Sequence, residues 1–528
     1  MPIPQVTMAA PVQRLSLGPL DHLPPRHYTR FAIYLPLKPN ASYATAFAEL
    51  QRGLHKTFLQ LPWLNGKVFW QSKKTPGWRP GQLEVQYTPI AADGPAPWQF
   101  KYNELTSDVD IDELRETGFP TDTFTDQEVL WAPFAPDIRK GADVFIGQAN
   151  FMPGACVLCA AIFHSVADGM ADVTIFKLWA DHTRGDEGGG ASELVLPADS
   201  ADRGAIERLW EEERSGTPFE KINTPAAWNI VGLEAPVAKT KSGRRGALAN
   251  KSARWKHSIK KESGKVVLRL AIKVKGEAKA IDSLLAASTK EPELKSRMFY
   301  ISPANFAALK RACAEGGQLV SGNHAVCALL WRSLMRARIA AEEAATGDVV
   351  DDGGDSRIEM TVDGRHHLSL PPTYLGNVVL LSRATLPRPV IAAPETTLSH
   401  VAQVLRTAGD SISPSSALDA YSLARGLEGY DRFDERATPV AGARMLVTSL
   451  LTMPASGIGF GDRGVFASEG RAEAIRPLMG AFNKYFRICF IMPPKSYGGI
   501  EVVFNLSDAE MEILLQDEEF DKYAMQMN

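Results

Sequence analysis

His164 and Asp168, in the run His164-Ser165-Val166-Ala167-Asp168-Gly169, are spaced for proton transfer at a fixed point. A neutral imidazole held rigid and partly out of water can take a proton from an attacking nucleophile. An isolated histidine is more often a satisfied core residue. The acid four residues on and the glycine behind it favour the chemical reading here. Cys156 and Cys159 form a C-x-x-C, but as strand positions i and i+3 they face opposite ways and read as core. His366 and His367 cannot readily chelate one ion as neighbours, and no ligand set is spaced around them, so no metal is expected.

The elements that must position His164 flank it directly. Ala155 to Phe163 carries no charge and is rich in Val, Ile, Phe and Cys, the pattern of a strand buried on both faces. Met170, Val173, Phe176 and Trp179 then fall on one face of an amphipathic helix. His164 therefore stands where a buried strand ends and the chain turns, with Gly169 permitting the turn and close packing of the helix.

The bulk properties bound the rest. A chain of 528 residues exceeds one core and implies two or more domains. An apolar fraction of 45% and a charged fraction of 23% suit a soluble globular enzyme. A net charge of −3 gives no reason to expect nucleic acid or an anionic membrane as partner. No apolar run approaches the roughly 20 residues of a membrane span, and Met1-Pro2-Ile3-Pro4-Gln5 does not read as a signal peptide. Cys156, Cys159, Cys313, Cys327 and Cys489 are scattered in apolar surroundings, as in a reduced, cytoplasmic protein.

Strand-like and helical segments alternate over residues 1–190, which read as an N-terminal domain closed by the glycine-rich break Gly185-Asp186-Glu187-Gly188-Gly189-Gly190. Residues 191–297 read as a crossover. Within it, Lys239 to Lys265 carries ten Lys/Arg against one acid, Glu262. Residues 298–528 read as a second domain. It opens with a strand at Met298–Ile301, then a helix capped by Ser302 with Pro303 at its first position and Phe306 and Leu309 on its apolar face, ended by Gly316-Gly317. A long helix follows from Asn323 through Arg338. The last helix has a capping box at Ser507–Glu510 and is expected to bury Met511, Leu514 and Leu515. This order predicts two α/β domains.

Several ordered blocks around His164-x-x-x-Asp168-Gly169 together resemble the BAHD acyltransferases. Leu15-Ser16-Leu17-Gly18-Pro19-Leu20-Asp21 is similar to the family's opening LSPLD, and Gln148-Ala149-Asn150-Phe151 to the run into the catalytic motif. Val362-Asp363-Gly364-Arg365, Tyr374-Leu375-Gly376-Asn377, Val447-Thr448-Ser449 and Gly470–Pro477 are similar to later family blocks. The overall flavour is that of the fungal branch, like trichothecene 3-O-acetyltransferase. Condensation domains that form peptides share the fold but usually carry two adjacent histidines, and here Phe163 precedes His164.

The resemblance implies a two-domain chloramphenicol-acetyltransferase-like α/β fold, with mixed sheets flanked by helices and an active-site tunnel between domains. It implies acyl transfer, most simply acetyl, from a CoA thioester to a hydroxyl of a secondary metabolite, without a tightly bound cofactor, by a monomer. His164 would be the general base. Thr448 and Ser449 would face the developing oxyanion, and Asn377 would help fix the site. Asp168 would pair with Arg365 and, with Gly169, support the turn rather than do chemistry. Lys239, Arg244, Arg245 and Lys251 have two readings: a solvated loop, or attraction of CoA phosphates.

Two positions depart from the family. Its D-F-G-W-G aspartate falls on Gly459, and the tryptophan of its TSW block on Leu450. Gly459 and Gly461 add backbone entropy, so a looser segment over 457–470 and weaker CoA binding are expected. The departures also leave open an enzyme of this fold repurposed for CoA-independent cyclisation or rearrangement of a polyketide-like or terpenoid substrate. A non-catalytic small-molecule-binding protein is the third reading.

Overall fold

The computed structural model describes residues 11–185, 194–235, 293–347, 354–436 and 443–527, apart from 316, 318, 455–456 and 496–497. Residues up to Leu233 and from Glu293 onward pack as one compact unit. Strands β1 (Gln13–Ser16) and β2 (Tyr28–Pro36) lead into helix α1 (Tyr43–Gln60). Short strands β3 (Lys67–Trp70), β4 (Leu83–Tyr87), β5 (Phe100–Glu104) and β6 (Ala142–Asp143) follow. The long pair β7 (Phe145–Met152) and β8 (Ala155–Phe163) then runs into α2 (Gly169–Arg184).

The second part begins with β9 (Lys295–Ile301), α3 (Pro303–Cys313) and α4 (Gly322–Thr346). It continues through β10 (Asp355–Asp363), β11 (Val379–Pro387), α5 (Leu398–Asp410) and α6 (Pro414–Gly426). Strands β12 (Arg444–Ser449), β13 (Ala474–Pro477), β14 (Ile488–Ile491) and β15 (Ile500–Leu506) precede α7 (Asp508–Leu514) and β16 (Met525–Gln526).

Among the described residues three sheets result, ordered β1-β4-β3-β6, β13-β2-β8-β7-β5 and β11-β10-β12-β14-β15-β9-β16. Every residue of β8 is buried, as its uncharged sequence demands, because antiparallel β2 and β7 flank it and α2 follows it back over the core. Strand β13 comes from the second part but pairs antiparallel with β2, Arg476 opposite Ala32. The sheet that carries His164 is thus completed by chain lying some three hundred residues downstream, which no local pattern discloses.

Helix α2 forms where expected, but its buried face is Ala171, Asp172, Ile175, Phe176 and Trp179; Met170 and Val173 are only half-buried. The reason is α1, against which α2 packs: the Trp179 indole N–H donates to the Leu50 carbonyl at 2.8 Å and sets the helix rotation. The Ser507 capping box is present, and Met511 and Leu514 are buried. Leu515 lies just past the last helical residue and is 43% exposed, contrary to expectation. Helix α3 stops at Cys313, before the glycines assigned to end it.

Candidate functional site

The turn between β8 and α2 is built by its own backbone. The Val166 N–H donates to the Phe163 carbonyl at 2.7 Å, and the His164 N–H to the His27 carbonyl at 2.9 Å. Asp168 is then the N-cap of α2, accepting from the Ala171 N–H at 3.0 Å. His164 Nδ1 lies 3.2 Å from the Ala167 carbonyl. A carbonyl can only accept, so Nδ1 carries the proton and Nε2 is the basic nitrogen. Gly169 sits at the first helical position without a left-handed backbone, so the turn itself does not require glycine. Its use is close approach: a Cβ there would stand 2.8 Å from Met453 Cε, which places the chain just after β12 beside the His164 turn.

Asp168 and Arg365 form the expected pair. Arg365 Nη2 donates to Oδ1 at 2.8 Å and Nη1 to Oδ2 at 3.0 Å, with both side chains buried. The Val378 N–H adds a third donor at 3.0 Å, and Arg365 also donates to the Tyr374 and Gly376 carbonyls. Burial alone would raise the Asp168 pKa; Arg365 and these N–H donors overcome it and hold the carboxylate below its usual range.

Asn377 is fixed from its other side. Its backbone N–H and Nδ2 donate to Asp21 Oδ1 at 2.9 and 3.4 Å. Its own Oδ1 is buried and accepts no hydrogen bond among the described residues. Thr448 and Ser449 stand half-buried at the C-terminal end of β12, and Ser449 Oγ accepts from the Leu451 N–H at 3.4 Å. Leu450 is buried among Met479, Phe482 and Phe490. Lys239, Arg244, Arg245 and Lys251 lie outside the described residues.

Three neighbours of the site carried no usable signal in the sequence. The His27 ring lies 5.7 Å from that of His164 and stacks on Phe134 at 4.3 Å. Burial, then the nearby His164, pushes the His27 pKa down to about 3, so it is neutral. Arg203 bridges the His164 turn and the segment before Asn377 by donating to the Val166 and Leu375 carbonyls. Asp172, one helical turn beyond Asp168, is buried with its pKa raised well above the carboxylate range by desolvation.

The segment 457–470 is tied down despite Gly459. Arg184 Nη1 donates to the Gly459 carbonyl at 3.0 Å, the Phe460 N–H to the Gly470 carbonyl at 3.1 Å, and the Gly461 N–H to the Glu469 carbonyl at 2.9 Å. Phe460 is fully buried, edge-on to Trp179 at 5.6 Å. Gly461 has φ +81° and its missing Cβ would collide with Arg184, so glycine is required there. Where the aspartate expected at 459 is missing, these backbone contacts hold the segment instead. Asp462 instead pairs with Lys38 at the surface.

The His164 turn, braced by a buried Asp–Arg pair, thus stands at the end of a strand in a sheet that the later part of the chain completes with β13. Residues 27–182 match the sequence model of the trichothecene 3-O-acetyltransferase-like N-terminal domain, and residues 272–521 that of the Transferase family. The isocyanide synthase-NRPS hybrid crmA of Aspergillus fumigatus is 28% identical over 97% of this chain. This chain spans only 31% of that protein, and half of a second relative from Penicillium crustosum. The eremophilane O-acetyltransferase ORF8 of Penicillium roqueforti is 24% identical, over 97% of this chain and 98% of that one. The crystal structure of F. graminearum TRI101 complexed with Coenzyme A and T-2 mycotoxin shares the fold, with TM-score 0.69 at 18% identity over 98% of this chain and 100% of that one. The chain belongs to the BAHD acyltransferase family, on the branch similar to trichothecene 3-O-acetyltransferase.

Proposed function

We propose that this protein is a CoA-dependent O-acyltransferase that acylates a hydroxyl of a secondary metabolite, with His164 as general base. The observation that carries the reading is the His164 tautomer: Nδ1–H is committed to the Ala167 carbonyl, inside a turn locked by Asp168 and Arg365. Nε2 takes the hydroxyl proton as the alcohol oxygen bonds to the thioester carbon. The tetrahedral oxyanion that forms needs donors already in place. Leu450 offers none, so the Thr448 and Ser449 hydroxyls fill that role. Collapse breaks the carbon–sulfur bond, and the proton on Nε2 passes to the departing thiolate, returning His164 to its starting state. The Asn377 Oδ1 acceptor suits an amide or hydroxyl N–H or O–H of a bound substrate. Acetyl is the simplest donor group, and the relative acting on eremophilanes supports a polycyclic alcohol as acceptor.

Replacing His164 with Ala should leave the melting temperature nearly unchanged and lower turnover of acetyl-CoA at least about 10²-fold. Turnover within a few-fold of the parent protein removes His164 from the role. A thermal-shift titration separates the readings independently: stabilisation by CoA supports acyl transfer, and none favours CoA-independent chemistry on the same fold.

A further inference from the structure

We propose that Arg203 is a positioning residue for the His164 site, an inference that rests on the acyl-transfer reading above. Its guanidinium joins three segments. Nη2 donates to the Val166 carbonyl at 2.7 Å and the Leu375 carbonyl at 3.1 Å, and Nη1 donates to Asp21 Oδ1 at 2.9 Å. Val166 is two residues beyond His164, and Leu375 two before Asn377. Asp21 in turn holds Asn377 through Oδ1 and the Gly18 N–H through Oδ2 at 2.8 Å. Both side chains are buried, at 7% and 4% exposure. Gly376 makes the approach possible, since a Cβ there would stand 2.7 Å from Arg203 Nη1.

The Asp168–Arg365 pair grips the same two turns at another point, through Val378 and the Tyr374 carbonyl. One point of attachment leaves two turns free to pivot about it; a second fixes their relative orientation. His164 and Asn377 sit on those turns, so Arg203 sets the geometry in which they meet a substrate. A planar fork can serve a carboxylate and two carbonyls together, whereas the ammonium of lysine is a point donor on a flexible stem. Displacements of about 1 Å at such a site can cost about 10²-fold in rate.

The test uses the full chain carrying Arg203→Gln, Arg203→Lys or Arg338→Gln. Arg338 of α4 is an equally buried arginine, paired with Glu510 of α7 and serving as the stability control. Arg203→Gln should lower kcat for acetyl-CoA turnover at least about tenfold with KM within twofold, and Arg203→Lys should recover only part of the loss. Arg338→Gln should keep kcat within twofold. Unchanged kcat in Arg203→Gln, or an equal loss in Arg338→Gln at the same melting temperature, overturns the assignment. Should Arg203→Gln fail to fold, Arg203→Lys decides by the same readouts. If the parent protein turns over no acetyl-CoA, the acyl-transfer reading falls, and the rate of diethyl pyrocarbonate modification of His164 decides the positioning role alone. A rate altered at least fivefold in Arg203→Gln but not in Arg338→Gln supports it, and equal rates overturn it.

Discussion

The His164 turn and the segment 457–470 were both expected to depend on an aspartate, and only one of them has it. At the turn, Asp168 caps α2 and meets Arg365 and the Val378 N–H, three demands that no backbone group could meet from the same place. At 459 the side chain is gone, yet Arg184 reaches the Gly459 carbonyl and the strand-like contact with Arg471 closes the segment on itself. An acid is indispensable where buried donors converge from distant chain; where backbone carbonyls lie within reach of an arginine, its loss is absorbed. The two regions also meet, because Phe460 packs on Trp179 of the helix that Asp168 caps.

That contrast breaks most visibly at Asp168. Asp168→Ala and Arg365→Ala should each cost about 3–5 kcal/mol by leaving a buried partner uncompensated, and the double variant much less than the sum. Chemical denaturation of all three variants measures the coupling; simple additivity would show that the pair does not act as a unit. Phe460→Ala should cost about 3 kcal/mol through the cavity it opens. If the segment is scaffold and not machinery, kcat will stay within a few-fold of the parent value while stability falls. A collapse of kcat at unchanged KM would place the segment in the chemistry.

The smallest effect sharpens the comparison within the turn itself. Thr29 Oγ1 lies 2.6 Å from Asp172 Oδ2 and 3.1 Å from the Ile162 carbonyl. Thr29 Oγ1 donates to Asp172, which favours the ionised form, but desolvation by burial outweighs it and raises the Asp172 pKa. The pH signs of the two acids are therefore opposite. Asp168, held low, contributes stability that is present above its unfolded pKa and lost as pH falls through its folded value. Asp172, held high, contributes stability that is present at low pH and lost as pH rises through its folded value. Asp172→Asn should leave stability unchanged in acid and gain about 1 kcal/mol relative to the parent protein at alkaline pH. Parallel stability–pH curves for the two proteins would show that folding does not shift the Asp172 pKa.

Local pattern was enough for the elements around the candidate site. Nine uncharged residues made β8, the apolar spacing after Gly169 marked α2, and the position of His164 between them placed the imidazole at a strand end. The Asp168–Arg365 contact was legible only through resemblance, since 197 residues separate the partners. What the sequence could not decide were quantities set by who packs against whom. The rotation of α2 followed from the Trp179–Leu50 contact, not from helical periodicity. The pairing of β13 with β2, the neutral His27 beside His164, the raised pKa of Asp172 and the Arg203 bridge all arise where distant segments exclude water together. Periodicity and capping act through neighbours in the chain, so sequence alone determines them; desolvation and convergent hydrogen bonding act through neighbours in space, so only the tertiary structure could.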